Sequence, residues 1–356
     1  MDLSFYQGKR VFVTGHTGFK GSWLCRILIQ AGAEVTGYSL PPPTQPNLFS
    51  LAGLEGQMKS VIGDIRDPAQ LKQAFDAARP EVVFHLAAQP IVRDSYRDPR
   101  ATYETNVMGT VNLLECVRQA AIEGVPPRSV VNITTDKVYQ NKEWCWGYRE
   151  EEPLDGYDPY SNSKSCSELV THSYINSFFQ NSETAVSTAR AGNVIGGGDF
   201  ANDRIIPDCI RAVQSGRTIE VRNPNSTRPY QHVLEPLAAY LMIAQKQYEN
   251  PHYAGFYNVG PDDCDCVTTG ALVELFCRHW GSDAVWESHA EPDAPHEANF
   301  LKLDCSKLKT AFGWQPRWHM EECMAMTCRF AKVWLAGGSI ENEMDAEIKV
   351  FFGGTA

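Results

Sequence analysis

The chain has 356 residues, 43% of them hydrophobic, which is ample apolar material for one large domain or two intimately packed ones without disulfide staples. A formal net charge of −11 repels phosphate polymers and anionic bilayers, so no nucleic-acid or membrane partner is expected, although a small anion could still bind in a locally positive cleft. Residues 1–10 lack an apolar signal core, no stretch reaches the length of a membrane span, and the 11 cysteines are scattered with Cys264 and Cys266 as a lone close pair; these features predict a cytoplasmic protein with reduced thiols and no metal site.

Residues 10–14, Arg-Val-Phe-Val-Thr, form a short apolar strand, followed by a glycine-rich turn and by residues 22–31, where Trp23, Leu24, Ile27 and Leu28 recur at helical spacing. Further apolar runs at 34–40, 58–62, 81–87 and 129–134 alternate with helical stretches at 67–78 and 100–123; Asp67 before Pro68 reads as an N-cap with proline in the first turn. Strands that are apolar throughout belong to a parallel sheet covered on both faces, which predicts a doubly wound α/β fold of the Rossmann type. Pro41-Pro42-Pro43 is a surface loop and not a linker, because periodic signals resume soon after it. Beyond about residue 190 the pattern loosens into helices at 204–215, 234–248, 268–280 and 320–336 and a strand at 218–222, while a strand at 255–259 could rejoin the main sheet. The expected division is a dinucleotide-binding domain over 1–190, with a return segment near 230–260, and a smaller, interleaved substrate-binding cap domain over 191–356.

Gly15-His16-Thr17-Gly18-Phe19-Lys20-Gly21 follows the first strand and opens the first helix, so its small residues let backbone approach a pyrophosphate at the helix N-terminus, as in NAD-binding folds. In such folds an acidic residue at the end of the second strand bonds the adenine ribose; here Tyr38 or Ser39 stands there, which leaves NAD and NADP undistinguished by that position. Lys20 could meet either an extra phosphate or the pyrophosphate. Tyr160 and Lys164, four residues apart, share one face of a helix, and a phenol of pKa about 10 needs a nearby cation to act as a base near neutral pH.

With the glycine turn, Leu86-Ala87-Ala88, Asn106, the string Thr134-Thr135-Asp136-Lys137-Val138-Tyr139 and the Tyr160/Lys164 pair, the chain resembles the extended short-chain dehydrogenase/reductase family over essentially its whole length. The Thr135–Tyr139 string is similar to that of nucleotide-sugar 4,6-dehydratases, and with residues 16–24 it resembles in particular the branch acting on CDP-glucose. The resemblance implies NAD as cofactor, held by the glycine turn, Asp64 and Ile65 at the adenine, Leu86, Ala87, Ala88, Asn106, Thr134, Tyr160 and Lys164. It implies an internal redox cycle: Tyr160 takes the sugar 4-hydroxyl proton as hydride leaves C4, C5 is then deprotonated, the 6-hydroxyl leaves as water, and the hydride returns to C6. Thr135 is expected to bond the 4-oxygen, and Asp136 to be the acid, kept protonated by burial. Lys137 stands where related dTDP-glucose enzymes carry a glutamate base; either it accepts the C5 proton as a neutral amine or it steadies the enolate.

Gln89, Arg93, Ser95 and Tyr96, after the fourth strand, are candidate sugar contacts. Arg190-Ala191-Gly192-Asn193-Val194 resembles a segment whose asparagine meets substrate phosphates, and Arg228-Pro229-Tyr230-Gln231-His232 one whose arginine clamps the diphosphate. His85 is expected to be a core histidine, and residues 144–148 a loop packing over the site or a partner subunit. The family implies a homodimer or homotetramer. Competing readings are a nucleotide-sugar 4-epimerase, which needs no Asp136/Lys137 pair, and a non-catalytic NAD-sensing protein, which would not need Tyr160.

Overall fold

The computed structural model describes residues 2–289 and 299–353; the rest of the expected cap, 290–298 and 354–356, lies outside them. In chain order, the first half contains β1 (Arg10–Thr14), α1 (Phe19–Gln30), β2 (Glu34–Ser39), α2 (Leu48–Leu51), β3 (Lys59–Ile62), α3 (Pro68–Ala78), β4 (Val82–His85), α4 (Val92–Arg97), α5 (Pro99–Tyr103), α6 (Gly109–Ile122), β5 (Ser129–Ile133), α7 (Pro159–Tyr174) and β6 (Ala185–Ala191). The remainder supplies β7 (Val194–Ile195), α8 (Ile205–Gln214), β8 (Ile219–Val221), β9 (Thr227–Pro229), β10 (Gln231–His232), α9 (Leu234–Glu249), β11 (Phe256–Val259), β12 (Cys266–Thr268), α10 (Thr269–Trp280), β13 (Trp286–Ser288), α11 (Ser306–Phe312), α12 (Met320–Leu335) and α13 (Ile340–Gly353).

β11, β6, β5, β4, β1, β2 and β3 pair in that order as a parallel sheet. The pleat sorts side chains between its faces: Val11 and Val13 join one core with Trp23, Leu24, Leu237, Tyr240 and Met344, whereas Phe12 joins another with Tyr38, Phe75, Leu113 and Val117. A third core, built from Ile206, Ile210, Leu272, Phe276, Met320 and Met324, lies wholly in the second half of the chain. The strand expected at 255–259 does rejoin the sheet, as its β11 edge.

Asp67 caps α3 through Ala69 and Gln70, and Pro68 opens it. The helix expected over 100–123 is interrupted by a π-helical turn, Glu104–Met108, between α5 and α6. α1 begins one turn earlier than its apolar spacing implies, at Phe19, because the first turn of the helix grows directly out of the glycine loop. α13 returns to α1, where Arg26 forms a two-pronged bond to Asp345 at 2.5 and 2.6 Å. The cysteines are free thiols, and no helix among the described residues is long and apolar enough to cross a membrane.

Candidate active site

The loops leaving the carboxyl ends of β1, β4, β5 and β6 converge where the strand order reverses, between β1 and β4. Gly15 adopts φ +77°, and a Cβ there would lie 2.8 Å from the Ala87 nitrogen; a Cβ on Gly21 would lie 2.1 Å from the Gly15 carbonyl oxygen. Only hydrogen at these positions lets the turn close against α1 and the Leu86–Ala87 backbone. No side chain caps α1 at Gly18, so its first-turn amides are available to an anion. Thr17 donates to the Leu40 carbonyl at 2.9 Å and accepts from Ser39 at 2.8 Å, which binds the turn to the end of β2. This cradle fits a dinucleotide pyrophosphate.

Several expected cofactor contacts also have partners within the protein. Tyr38 is fully buried, stacked near Phe12 with ring centroids 6.4 Å apart, and its hydroxyl donates to the Asp64 carbonyl at 2.9 Å; strand alternation sends it into the core and leaves Ser39 at the rim. His16 is buried too, its Nε2 2.7 Å from Ser60 Oγ, and burial lowers it to about 4, so the ring is neutral. Asn106, in the π turn, uses its side-chain amide on both main-chain groups of Gln89 and donates to Ser163 Oγ at 2.8 Å, joining the loop after β4 to α7. Thr134 donates to the buried Glu168. Asp64 is held by Arg66 at 2.6 Å, and Ile65 packs where α6 begins at Gly109. Phe19, Leu86, Ala87 and Ala88 are half-buried around the turn.

At the other end of the cleft, Lys164 is buried and donates to the Ile133 carbonyl at 3.1 Å. Burial, then the charge of Lys20, lowers it to about 7. Tyr160 is half-buried, and burial raises its phenol to about 12, although the Thr135 hydroxyl and Arg204 oppose the rise. In the protein alone, Lys164 donates to a main-chain carbonyl and desolvation of the phenolate prevails. Asp136 is 2% exposed; its Oδ1 accepts from Thr135 at 2.9 Å, and its Oδ2 has no partner among the described residues. Burial raises this carboxyl above its ordinary value, with Lys137, Thr135 and Arg228 opposing. Gly192 passes close by, since a Cβ there would meet Asp136 Oδ2 at 3.3 Å.

On the substrate side, Arg228 is buried and lies within Coulombic reach of Asp136, while Asn193 is half-buried beside Gly192. Arg93 faces Asp203 at 3.8 Å, and Tyr96 is 42% exposed. Three candidates have internal partners. Gln89 uses its amide on Thr102 and the Ile91 nitrogen, Ser95 donates to the Val92 carbonyl, and Tyr230 is buried in the third core with its hydroxyl 2.9 Å from Thr269 Oγ1. Arg190, which opens the segment before Asn193, is fully buried and bonds Glu168 at 3.0 Å and Tyr139 at 2.8 Å. His85 is the expected core histidine, 2.7 Å from Thr14 and lowered to about 3 by burial. Tyr148 stacks on Tyr139 with ring centroids 5.2 Å apart, and Trp144 packs on Tyr148 at the same distance. Sequence reasoning missed Glu168 and Arg204; Glu168 is four residues beyond Lys164, a helical spacing that could have found it.

Cys264, Asp265 and His319 bring ligand-type atoms within 4.8 Å of one another, but Asp265 already bonds His319 and the Met320 nitrogen at the start of α12.

Residues 12–327 match the family described as GDP-mannose 4,6 dehydratase. The chain belongs to that family. Within it, the chain is 50% identical over 343 residues to the CDP-glucose 4,6-dehydratase of Salmonella typhimurium, covering 95% of this chain and 94% of the relative. It is 27% identical over 330 residues to a dTDP-glucose 4,6-dehydratase of Xanthomonas campestris, covering 88% and 91%. Among solved structures, the Thermus thermophilus UDP-glucose 4-epimerase complex with NAD aligns with TM-score 0.78 at 25% identity, covering 90% of this chain and 98% of that one.

Proposed function

We propose that the chain is an NAD-dependent CDP-glucose 4,6-dehydratase, which converts CDP-glucose to CDP-4-keto-6-deoxyglucose with loss of water. The observation that carries the reading is the pairing of Tyr160 with a buried Asp136 whose second oxygen has no partner among the described residues, because oxidation at C4 needs a base and loss of the 6-hydroxyl needs an acid. A 4-epimerase needs only the first.

The glycine turn, Ser39, Asp64 and Leu86–Ala88 hold the dinucleotide, Arg228 and Asn193 hold the diphosphate, and Arg93 and Tyr96 contact the sugar. NAD bound there supplies the acceptor, and afterwards the donor, of the sugar's hydride. Tyr160 removes the 4-hydroxyl proton and Thr135 orients that oxygen. Since burial raises the phenol to about 12, its working range near neutrality is reached only in the ternary complex, with a positive ring alongside. Asp136, kept protonated by desolvation, gives its proton to the departing 6-hydroxyl. Lys137 either takes the C5 proton or steadies the enolate.

Residues 1–190 with the segment near 230–260 form the cofactor-binding part, and the remainder of 191–356 covers the sugar nucleotide. The enzyme works as a homodimer or homotetramer in the cytoplasm. Incubation of the purified protein with NAD and CDP-glucose tests the reading: a 4-keto-6-deoxy sugar, detected by its absorbance in alkali, is expected from CDP-glucose and not from dTDP- or GDP-sugars. A 4-epimer without a keto product refutes it.

A further inference from the structure

We propose that Tyr139 and Ser165 are positioning residues for the loss of water: together they clamp the turn that carries Asp136 against the helix that carries Tyr160. The inference rests on the dehydratase reading above and adds to it the groups that fix the distance between its acid and its base.

Asp136 opens a single tight helical turn, Asp136–Val138, that follows Thr135 at the end of β5. Its side chain accepts one hydrogen bond, at 2.9 Å from the adjacent Thr135, and its Oδ2 has no partner among the described residues. A carboxyl left so open can give its proton to a ligand. No side chain distant in the chain holds it, however, so the backbone of the turn decides where it stands.

That turn is fixed from outside at both ends. Before it, Thr134 donates its hydroxyl to Glu168 on α7 and its amide to the Ala189 carbonyl of β6 at 2.9 Å. After it, Tyr139 is 1% exposed, and its hydroxyl accepts from Arg190 at 2.8 Å and donates to Asn258 Oδ1 on β11 at 2.6 Å. Arg190 in turn bonds Glu168 at 3.0 Å, so both flanks of the acid turn end on one buried ion pair. Ser165, buried next to Lys164, donates to the Val138 carbonyl at 2.7 Å, which also accepts from the Asp155 amide at 3.0 Å. Tyr160, Lys164, Ser165 and Glu168 all stand on α7, so one helix bears the base directly and the acid through these bonds.

Oxidation at C4 uses Tyr160 and Thr135, and Thr135 follows immediately after the anchor at Thr134. In the elimination that comes next, a base takes the C5 proton, Asp136 protonates the 6-hydroxyl, and the C6–O bond breaks to release water. Loosening the far side of the turn therefore falls on the second step. A displacement of about 1 Å there costs up to roughly a hundredfold in rate.

Single turnovers of the full-length protein loaded with NAD, on CDP-glucose, test this, with C4 oxidation read as bound reduced nicotinamide and elimination as keto product. Tyr139→Phe should slow elimination roughly ten- to a hundredfold and leave oxidation within about threefold, so that reduced cofactor accumulates. Ser165→Ala should shift the ratio of the two rates in the same direction, and serves should the tyrosine variant fail to fold. Amide hydrogen exchange, followed by mass spectrometry, should quicken at residues 136–139 in both. Thr188→Val removes a different hydrogen bond of Glu168, away from the turn; it should lower the melting temperature and keep the wild-type ratio. Equal slowing of both steps by Tyr139→Phe, an unchanged ratio, unchanged exchange over 136–139, or the same skew in Thr188→Val overturns the proposal. Failure of the dehydratase reading is a different result: no keto product from the wild type overturns both, whereas product from the wild type with an unchanged ratio in the variants sinks the clamp alone.

Discussion

Replacing Glu168 by Gln is the sharpest probe of the framework under the site. The Glu168 carboxylate is wholly buried and receives Thr134, Thr188 and Arg190, with His172 at 3.6 Å, so it ties β5, β6 and α7 together directly beneath Lys164. These donors hold it at about 2 against an ordinary 4.5, although burial alone would raise it. At 1.36 kcal/mol for each tenfold step, that difference corresponds to about 3 kcal/mol of native stability. Because the folded value is depressed, this contribution is complete above pH about 4.5 and is lost as the pH falls toward 2. The Glu168→Gln variant leaves the Arg190 guanidinium buried without its counter-charge, so a loss of roughly 3–5 kcal/mol is expected at pH 7. For a chain of this size that is a melting point lower by about 5 °C. Urea denaturation and thermal melts at pH 7, repeated at pH 3, measure it, and the variant should lose less than the wild type on acidification. The double variant Glu168→Leu/Arg190→Met should be more stable than either single one, since it leaves no orphan charge. A loss below about 1 kcal/mol for Glu168→Gln, or additive single effects, would refute the reasoning.

Other outcomes follow from the site. Tyr160→Phe should lower kcat by about 10²–10⁴-fold while NAD binding measured by calorimetry is unchanged. Gly21→Ala should abolish dinucleotide binding, because its Cβ would sit 2.1 Å from the Gly15 oxygen; titration with NAD checks it. Lys137→Met should abolish solvent-deuterium exchange at C5 if the amine is the base, and undiminished exchange rules that role out. Lys164 binds its proton less tightly in the folded protein, at about 7 against 10.5, so the ligand-free protein should gain stability as the pH rises through that window. Lys164→Met should flatten that rise in denaturation curves compared with the wild type.

The glycine turn, the apolar strands and the Tyr160/Lys164 spacing were legible in the chain because each depends on local geometry: a tight turn, a pleat buried on both faces, one helical turn between two side chains. α13 was not anticipated, although Ile340, Met344 and Ile348 carry helical spacing. Its run of Glu341, Glu343, Asp345 and Glu347 reads as solvated, yet Glu343 and Glu347 are buried in the fold. Candidate ligands such as Tyr38, Ser95 and Tyr230 stand at suitable positions along the chain, but their side chains are buried.

The sequence alone thus determined the α/β class, the dinucleotide turn and the acid–base residue types. Tertiary structure decided which polar side chains still have an unused donor or acceptor facing the cleft. That outcome depends on partners distant in the chain, such as the Asn258 that meets Tyr139 and the Arg190 that meets Glu168, and no local spacing encodes them.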